Sequence, residues 1–280
     1  MKNLILALAL VVGFTGWAQV NTPAPSPTQK IEQKVGLTDV TLEYSRPAMR
    51  GRTIFGDLVP YGKVWRTGAN ANTKITFSDD VMVGGKTLKA GAYAIYTIPG
   101  ESSWDIMFYS DANNWGTPQK WDESKVAAKV SAEVYPMPMA VQSFTITFDD
   151  LTNNSANIGI LWENVYVSAT VEVPTDKMVM ASIDNAMSGP GANDYYASAV
   201  YYLQEGKDMN MAKEWIDKAI KMRDDEPFWM YRQKSLIHAK SGDKKGAIAA
   251  AKKSLELAEK AGNSDYVALN KKSLKEWGAM

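Results

Sequence analysis

An all-β antiparallel sandwich, jelly-roll-like in its strand density, followed by an α-helical tetratricopeptide-like module is the fold class that three features of the sequence predict. Between Ile31 and Val173, short β-branched and aromatic runs recur about every dozen residues with turn residues between them, the texture of a sandwich or barrel. At Pro174 that texture stops, and from Tyr195 onward apolar residues recur at helical spacing. The helical half also repeats itself: Ala212 and Ala219 correspond to Ala247 and Ser254, 35 residues on.

The chain of 280 residues balances 31 Lys and Arg against 31 Asp and Glu and has no cysteine. Its length suffices for two domains with their own cores. A neutral global field offers no general attraction for nucleic acid, and none is expected as a partner. The lack of thiols excludes disulfides, thiol catalysis, thiolate metal sites and a lipoprotein anchor.

Met1-Lys2, the apolar run Leu4 to Phe14 and Gly16-Trp17-Ala18 have the layout of a signal peptide over residues 1–18. An uncleaved anchor is the alternative, with a run short for a bilayer. No later stretch is apolar for long enough to span, so the mature chain is expected to be exported, periplasmic or extracellular, with no integral membrane segment. Residues 19–29, rich in Pro, Thr and Ser, read as an extended tether.

A β domain is expected over residues 30–174. Ile31, Gln33 and Val35, then Val40, Leu42 and Tyr44, alternate with their neighbours at the strand period, and Pro47 ends the second run. Lys74 to Ser78 and Val81 to Val83 follow, then Gly84-Gly85 before Lys86 to Leu88, which is how a tight hairpin is written. Ala92 to Ile98, Trp104 to Tyr109, Lys129 to Tyr135, Ser143 to Phe148, Ile158 to Trp162 and Val165 to Val173 complete a set of about nine strands.

Residues 175–193 read as a linker ending in the breaker cluster Ser188-Gly189-Pro190-Gly191-Ala192-Asn193. The helical module over 194–280 is expected to hold five helices: Tyr195 to Gln204, Met211 to Met222, Phe228 to Lys240, Lys244 to Lys260 and Ser264 to Trp277. Short connections make them antiparallel pairs. Small residues at the repeat offset resemble tetratricopeptide repeats, whose period is about 34 and whose usual role is protein contact.

Catalytic chemistry finds little footing. The one histidine, His238, lies inside a predicted helix and reads as packing rather than as a base or metal ligand. Asp79-Asp80, Asp149-Asp150 and Asp224-Asp225 end strand or helix runs, where Asp serves turns. No catalytic residue, metal or cofactor is assigned.

The segment Tyr44 to Thr73 differs in kind. Arg46, Arg50, Arg52, Lys63 and Arg66 stand among Tyr44, Phe55, Tyr61 and Trp65 against the single acid Asp57. One reading is a structural clamp, with Arg46, Arg52 and Arg66 paired to Asp79, Glu163 or similar acids. The other is a site for a small anionic or polyhydroxylated ligand. In it Arg46, Arg52 and Arg66 clamp charge, Tyr44, Tyr61 or Trp65 offers a ring, and Asn70, Asn72 and Thr73 supply neutral hydrogen bonds.

The motifs Tyr44-Ser45-Arg46-Pro47, Ile54-Phe55-Gly56, Leu58-Val59-Pro60-Tyr61-Gly62, Val64-Trp65-Arg66-Thr67-Gly68-Ala69-Asn70, Ala90-Gly91-Ala92-Tyr93 and Ile98-Pro99-Gly100 carry a likeness. Over roughly Ser26 to Pro174 the chain resembles the bacterial family catalogued as domain of unknown function 2911, and its helical tail resembles the repeat region that follows this domain in some members. The resemblance implies an exported, mostly β protein without an established activity. Three functions follow: a non-catalytic binding protein taking an anionic or carbohydrate ligand and, through its helices, a protein partner; a carboxylate-dependent glycan hydrolase, given Trp104, Trp115 and Trp121; or an envelope scaffold.

Overall fold

The computed structural model describes residues 22–187 and 189–280; the signal-peptide reading of residues 1–18 lies outside them. Two compact units meet between Thr175 and Asp176. In the first, the strands are β1 (Thr28–Val35), β2 (Thr38–Ser45), β3 (Thr73–Phe77), β4 (Val81–Val83), β5 (Lys86–Leu88), β6 (Gly91–Ile98), β7 (Ser103–Tyr109), β8 (Val126–Glu133), β9 (Tyr135–Asp149) and β10 (Ser155–Glu172). They form two antiparallel sheets, ordered β1-β2-β3-β6-β7-β8 and β5-β4-β10-β9. The predicted antiparallel sandwich is the observed fold.

Alternation builds the core. Val40, Leu42 and Tyr44 on β2, Ile75 and Phe77 on β3, Phe144 and Ile146 on β9, and Ile158, Ile160 and Trp162 on β10 bury every second side chain in one cluster. Ile158 to Trp162 and Val165 to Val173, which read as separate runs, are one strand. The break between them is a bulge in the β9–β10 register at Glu163, whose φ is +53°. Strand β1 starts at Thr28, inside the stretch read as tether, because Thr28 and Gln29 continue the ladder opposite Ser45 and Tyr44.

Gly84 and Gly85 adopt the two positive φ angles, +55° and +73°, that the β4–β5 hairpin demands. The outer face of β6 and β7 is apolar too: Ala94, Tyr96, Met107 and Tyr109 form a second cluster. The chain between β7 and β8 covers it, stacking Trp121 on Tyr109 with ring centroids 4.7 Å apart. This fixes where residues 110–125 run.

The second unit contains α2 (Ala192–Glu205), α3 (Met209–Lys221), α4 (Phe228–Lys240), α5 (Lys244–Lys260) and α6 (Ser264–Glu276), close to the five expected helices. A sixth, α1 (Thr175–Ala186), replaces most of the expected linker. Val179, Ile183 and Met187, the last just past its end, recur at intervals of four and join the helical core, while the adjacent Met178, Met180 and Ala181 blur that period in the sequence. The four repeat-matched residues Ala212, Ala219, Ala247 and Ser254 are all fully buried, as close helix pairing requires. Asp208 and Asp243 cap the second helix of each pair through their carboxylates. Asp243 also meets His238 Nδ1 at 2.8 Å, so the histidine is engaged in the turn of its own repeat.

Candidate functional site

The segment from Arg46 to Asn72 joins two neighbouring strands of the first sheet yet travels far between them. Its outward limb reaches the other sheet. The Met49 N–H donates to the Gln142 carbonyl at 2.8 Å, and the Phe144 N–H donates to the Pro47 carbonyl at 2.8 Å. Ile54, Phe55 and Val59 then enter the main core, and the Ile54 and Phe55 N–H groups point at the Glu163 carboxylate. The return limb pairs with β6, where Trp65 and Thr97 exchange both backbone hydrogen bonds, at 2.7 and 3.0 Å. The segment is therefore a folded plug, and its side chains are held by that path.

Backbone strain gathers here. Arg50, Thr67 and Asn70 have φ angles of +51°, +55° and +60°, a region costly for residues with a Cβ, most of all for the branched Thr67. The surroundings hold them: the Thr67 hydroxyl lies 3.1 Å from that of Thr97 in a fully buried site.

Two clefts flank the plug. A groove of about 350 Å³ has Trp65 and Trp162 as its floor and Arg50, Arg52 and Arg66 on its rim, with Leu58, Pro25 and Ser26 among its other walls. The two indoles stack at 6.0 Å with 17° between their planes, and Phe55, Trp104 and Phe144 wedge edge-on around Trp65. A floor so packed is rigid.

The arginines answer the question that the sequence left open. Arg46 Nε donates to the Phe144 carbonyl at 2.9 Å and Nη2 to the Thr145 hydroxyl at 2.7 Å. Arg50 Nη2 donates to the Pro25 carbonyl at 3.0 Å, and Arg52 donates to the carbonyls of Met49 and Ala48 at 2.9 and 2.7 Å. Arg66 Nη1 donates to the Asn70 carbonyl at 3.1 Å and lies against Gly116, where an added Cβ would come within 2.8 Å of it. Among the described residues, none of these four guanidinium groups forms an ion pair. The clamp reading through Asp79 or Glu163 fails: Asp79 accepts from Ser78, and Glu163 faces backbone N–H groups.

The second cleft, about 430 Å³, is lined by Thr28, Glu43, Tyr44, Asn70, Asn72, Lys74 and the loop Ala112 to Trp115. The Tyr44 hydroxyl donates to Gln29 Oε1 at 2.9 Å and accepts from the Ile146 N–H at 3.0 Å; burial pushes its pKa up. Asn72 Nδ2 donates to the Ala112 carbonyl at 2.9 Å, and Asn70 Nδ2 reaches the Ser26 carbonyl and the Ser45 hydroxyl, each at 3.3 Å.

The nine residues singled out from the sequence thus divide. Arg52, Trp65 and Arg66 line the groove, while Tyr44, Asn70 and Asn72 line the cleft. Arg46, Tyr61 and Thr73 line neither. Arg46 braces β9, the half-exposed Tyr61 packs beside Gly56, and the buried Thr73 hydroxyl donates to the Thr67 carbonyl. The nine omit Trp162, which comes from a distant part of the chain, and Trp115, which the sequence offered only to the hydrolase reading. They also omit Arg50, whose membership of the same basic run was the available signal.

Together, a two-sheet antiparallel sandwich with a plugged edge, two polar clefts and an appended helical module define the class. The chain belongs to the family described as Protein of unknown function (DUF2911), whose model matches residues 26–171. No curated protein and no solved structure matches the chain. Among the described residues no helix is long and apolar enough to cross a membrane, and no cluster of His, Asp and Glu could hold a metal ion.

Proposed function

We propose that this is an exported, non-catalytic binding protein whose β domain takes a small anionic or polyhydroxylated ligand in the groove and whose helical repeats contact a protein partner. The observation that carries the reading is the set Arg50, Arg52 and Arg66 around a stacked indole floor, with no carboxylate on the lining. Guanidinium groups oriented by carbonyls keep their charge and their remaining donors for a planar anion such as a carboxylate or phosphate. The indole floor suits the flat or ring-bearing part of such a ligand.

A hydrolase would need two carboxylates facing one cleft. The groove has none, and the cleft has Glu43 alone, whose charge is matched by Lys74 at 3.2 Å. That balance favours binding over hydrolysis.

Calorimetric titration with digalacturonate, glucuronate and inorganic phosphate tests the ligand half. At least one should bind, and Arg52→Ala should weaken it by about tenfold, the scale of a lost charge-assisted hydrogen bond. Failure of all three anions would sink it. For the helical half, proteins retained by the full chain should be lost from a chain ending at Pro174.

A further inference from the structure

The amide-lined cleft calls for a different ligand from the groove. Its most unusual member is Trp115, 78% exposed and the only exposed tryptophan among the described residues. Its neighbours are fixed. The Asn72 N–H donates to the Asn114 carbonyl at 3.1 Å, Asn72 Nδ2 to the Ala112 carbonyl at 2.9 Å, and the buried Tyr96 hydroxyl to the Gly116 carbonyl at 3.0 Å. Asn114 closes the turn by donating to the Asp111 carbonyl at 2.9 Å. A large apolar ring is thus presented to water on a loop pinned before and after it, so that little ordering remains for a ligand to impose.

The walls beside the indole are Asn70, Asn72, Asn113 and Asn114, together with Thr28 and the compensated pair Glu43 and Lys74. The Nδ2 groups of Asn70, Asn72 and Asn114 donate within the protein, which orients their amides and leaves the amide oxygens as acceptors for the hydroxyls of a sugar. A pyranose also has an apolar C–H face that can lie on an indole. The cleft has no uncompensated charge, unlike the groove, so it does not select an anion. Its volume of about 430 Å³ falls within the range of small-molecule sites.

We infer that this cleft is a second binding site, for a neutral saccharide, with Trp115 as the stacking face and the asparagine amides as hydroxyl partners. The inference rests on the reading of the β domain as a binding module, but not on the arginine groove. Arg66 lines the groove while bonding to the Asn70 carbonyl and lying against Gly116, next to the loop that carries Trp115.

The test titrates the full chain with cellohexaose, maltohexaose, mannohexaose and chitohexaose, with adenine as a flat ring that carries no sugar. At least one oligosaccharide should bind, weakened about tenfold or more by Trp115→Ala and partly restored by Trp115→Phe. Arg52→Ala should leave that binding unchanged while weakening binding of digalacturonate by about tenfold, which separates failure of this site from failure of the groove. Because Trp115 is exposed, its substitutions should leave the melting midpoint in place. The inference falls if none of the four oligosaccharides binds, if Trp115→Ala binds as the parent does, or if adenine alone binds.

Discussion

Lys218, Arg223, Lys234 and Lys253 of the helical module each sit on a carboxylate, at 2.6, 2.7, 2.6 and 2.9 Å. Arg46, Arg50, Arg52 and Arg66 of the plug donate instead to carbonyl and hydroxyl oxygens. Surface ion pairs of the first kind cancel charge and add little stability, with a median of about 0–1 kcal/mol. A guanidinium held by carbonyls is oriented just as firmly and remains a net cation. Cations of the helical set are therefore neutralised, while those of the plug are kept available. Composition, which counts both sets into a balanced total, conceals that.

The sharpest way to break the contrast is to remove the platform under the plug. Trp162→Ala should cost about 3–5 kcal/mol in urea unfolding of the β domain and abolish anion binding with it. The helical counterpart is Ala212→Leu, which forces a larger side chain into a fully buried helix contact. It should cost about 1–3 kcal/mol, read from the helical far-ultraviolet signal, with the groove untouched.

Charge removal separates the two regions more finely. Arg52→Ala and Lys253→Ala should each shift stability by less than about 1 kcal/mol, and only the first should weaken digalacturonate binding. Equal effects on binding would erase the distinction drawn here.

The smallest effects are those of pH, and they run in opposite directions. The Gly246 N–H, and then His238, hold the Asp243 carboxyl below its usual range. Its contribution to the helical module is present above the unfolded pKa and is lost as pH falls through the lower folded value. Burial pushes the Tyr96 phenol up to about 12. Its contribution to the β domain is present below the unfolded value near 10 and is lost as pH rises through the folded one. Melting midpoints followed against pH should lose part of their acid dependence in Asp243→Asn, read from the helical far-ultraviolet signal, and part of their alkaline dependence in Tyr96→Phe, read from the aromatic signal.

The sandwich and five helices were legible because alternation and helical spacing are local signals, carried for example by Val40, Leu42 and Tyr44 or by the breakers at Gly206, Gly242 and Gly262. Helix α1 was not, since the continuous run Met178-Val179-Met180-Ala181 blurs the helical spacing of Val179, Ile183 and Met187. The composition of Tyr44 to Thr73 marked the right region, but which arginine faces a cleft depends on long-range partners. Arg46 was drawn inward by β9 carbonyl and hydroxyl oxygens about a hundred residues away, and Trp162 arrived beneath Trp65 through sheet pairing. Glu163, a natural partner for a nearby arginine, was taken by two backbone N–H groups instead.

The carbonyls of Pro25 and Ser26, which accept from Arg50 and Asn70, have a practical bearing on how the protein is produced. Composition invites trimming everything before Lys30 as dispensable leader. Such a shortened chain would lose part of the groove wall, two acceptors and the first rungs of the β1–β2 ladder, and a ligand screen run on it would sample a site the intact protein does not have.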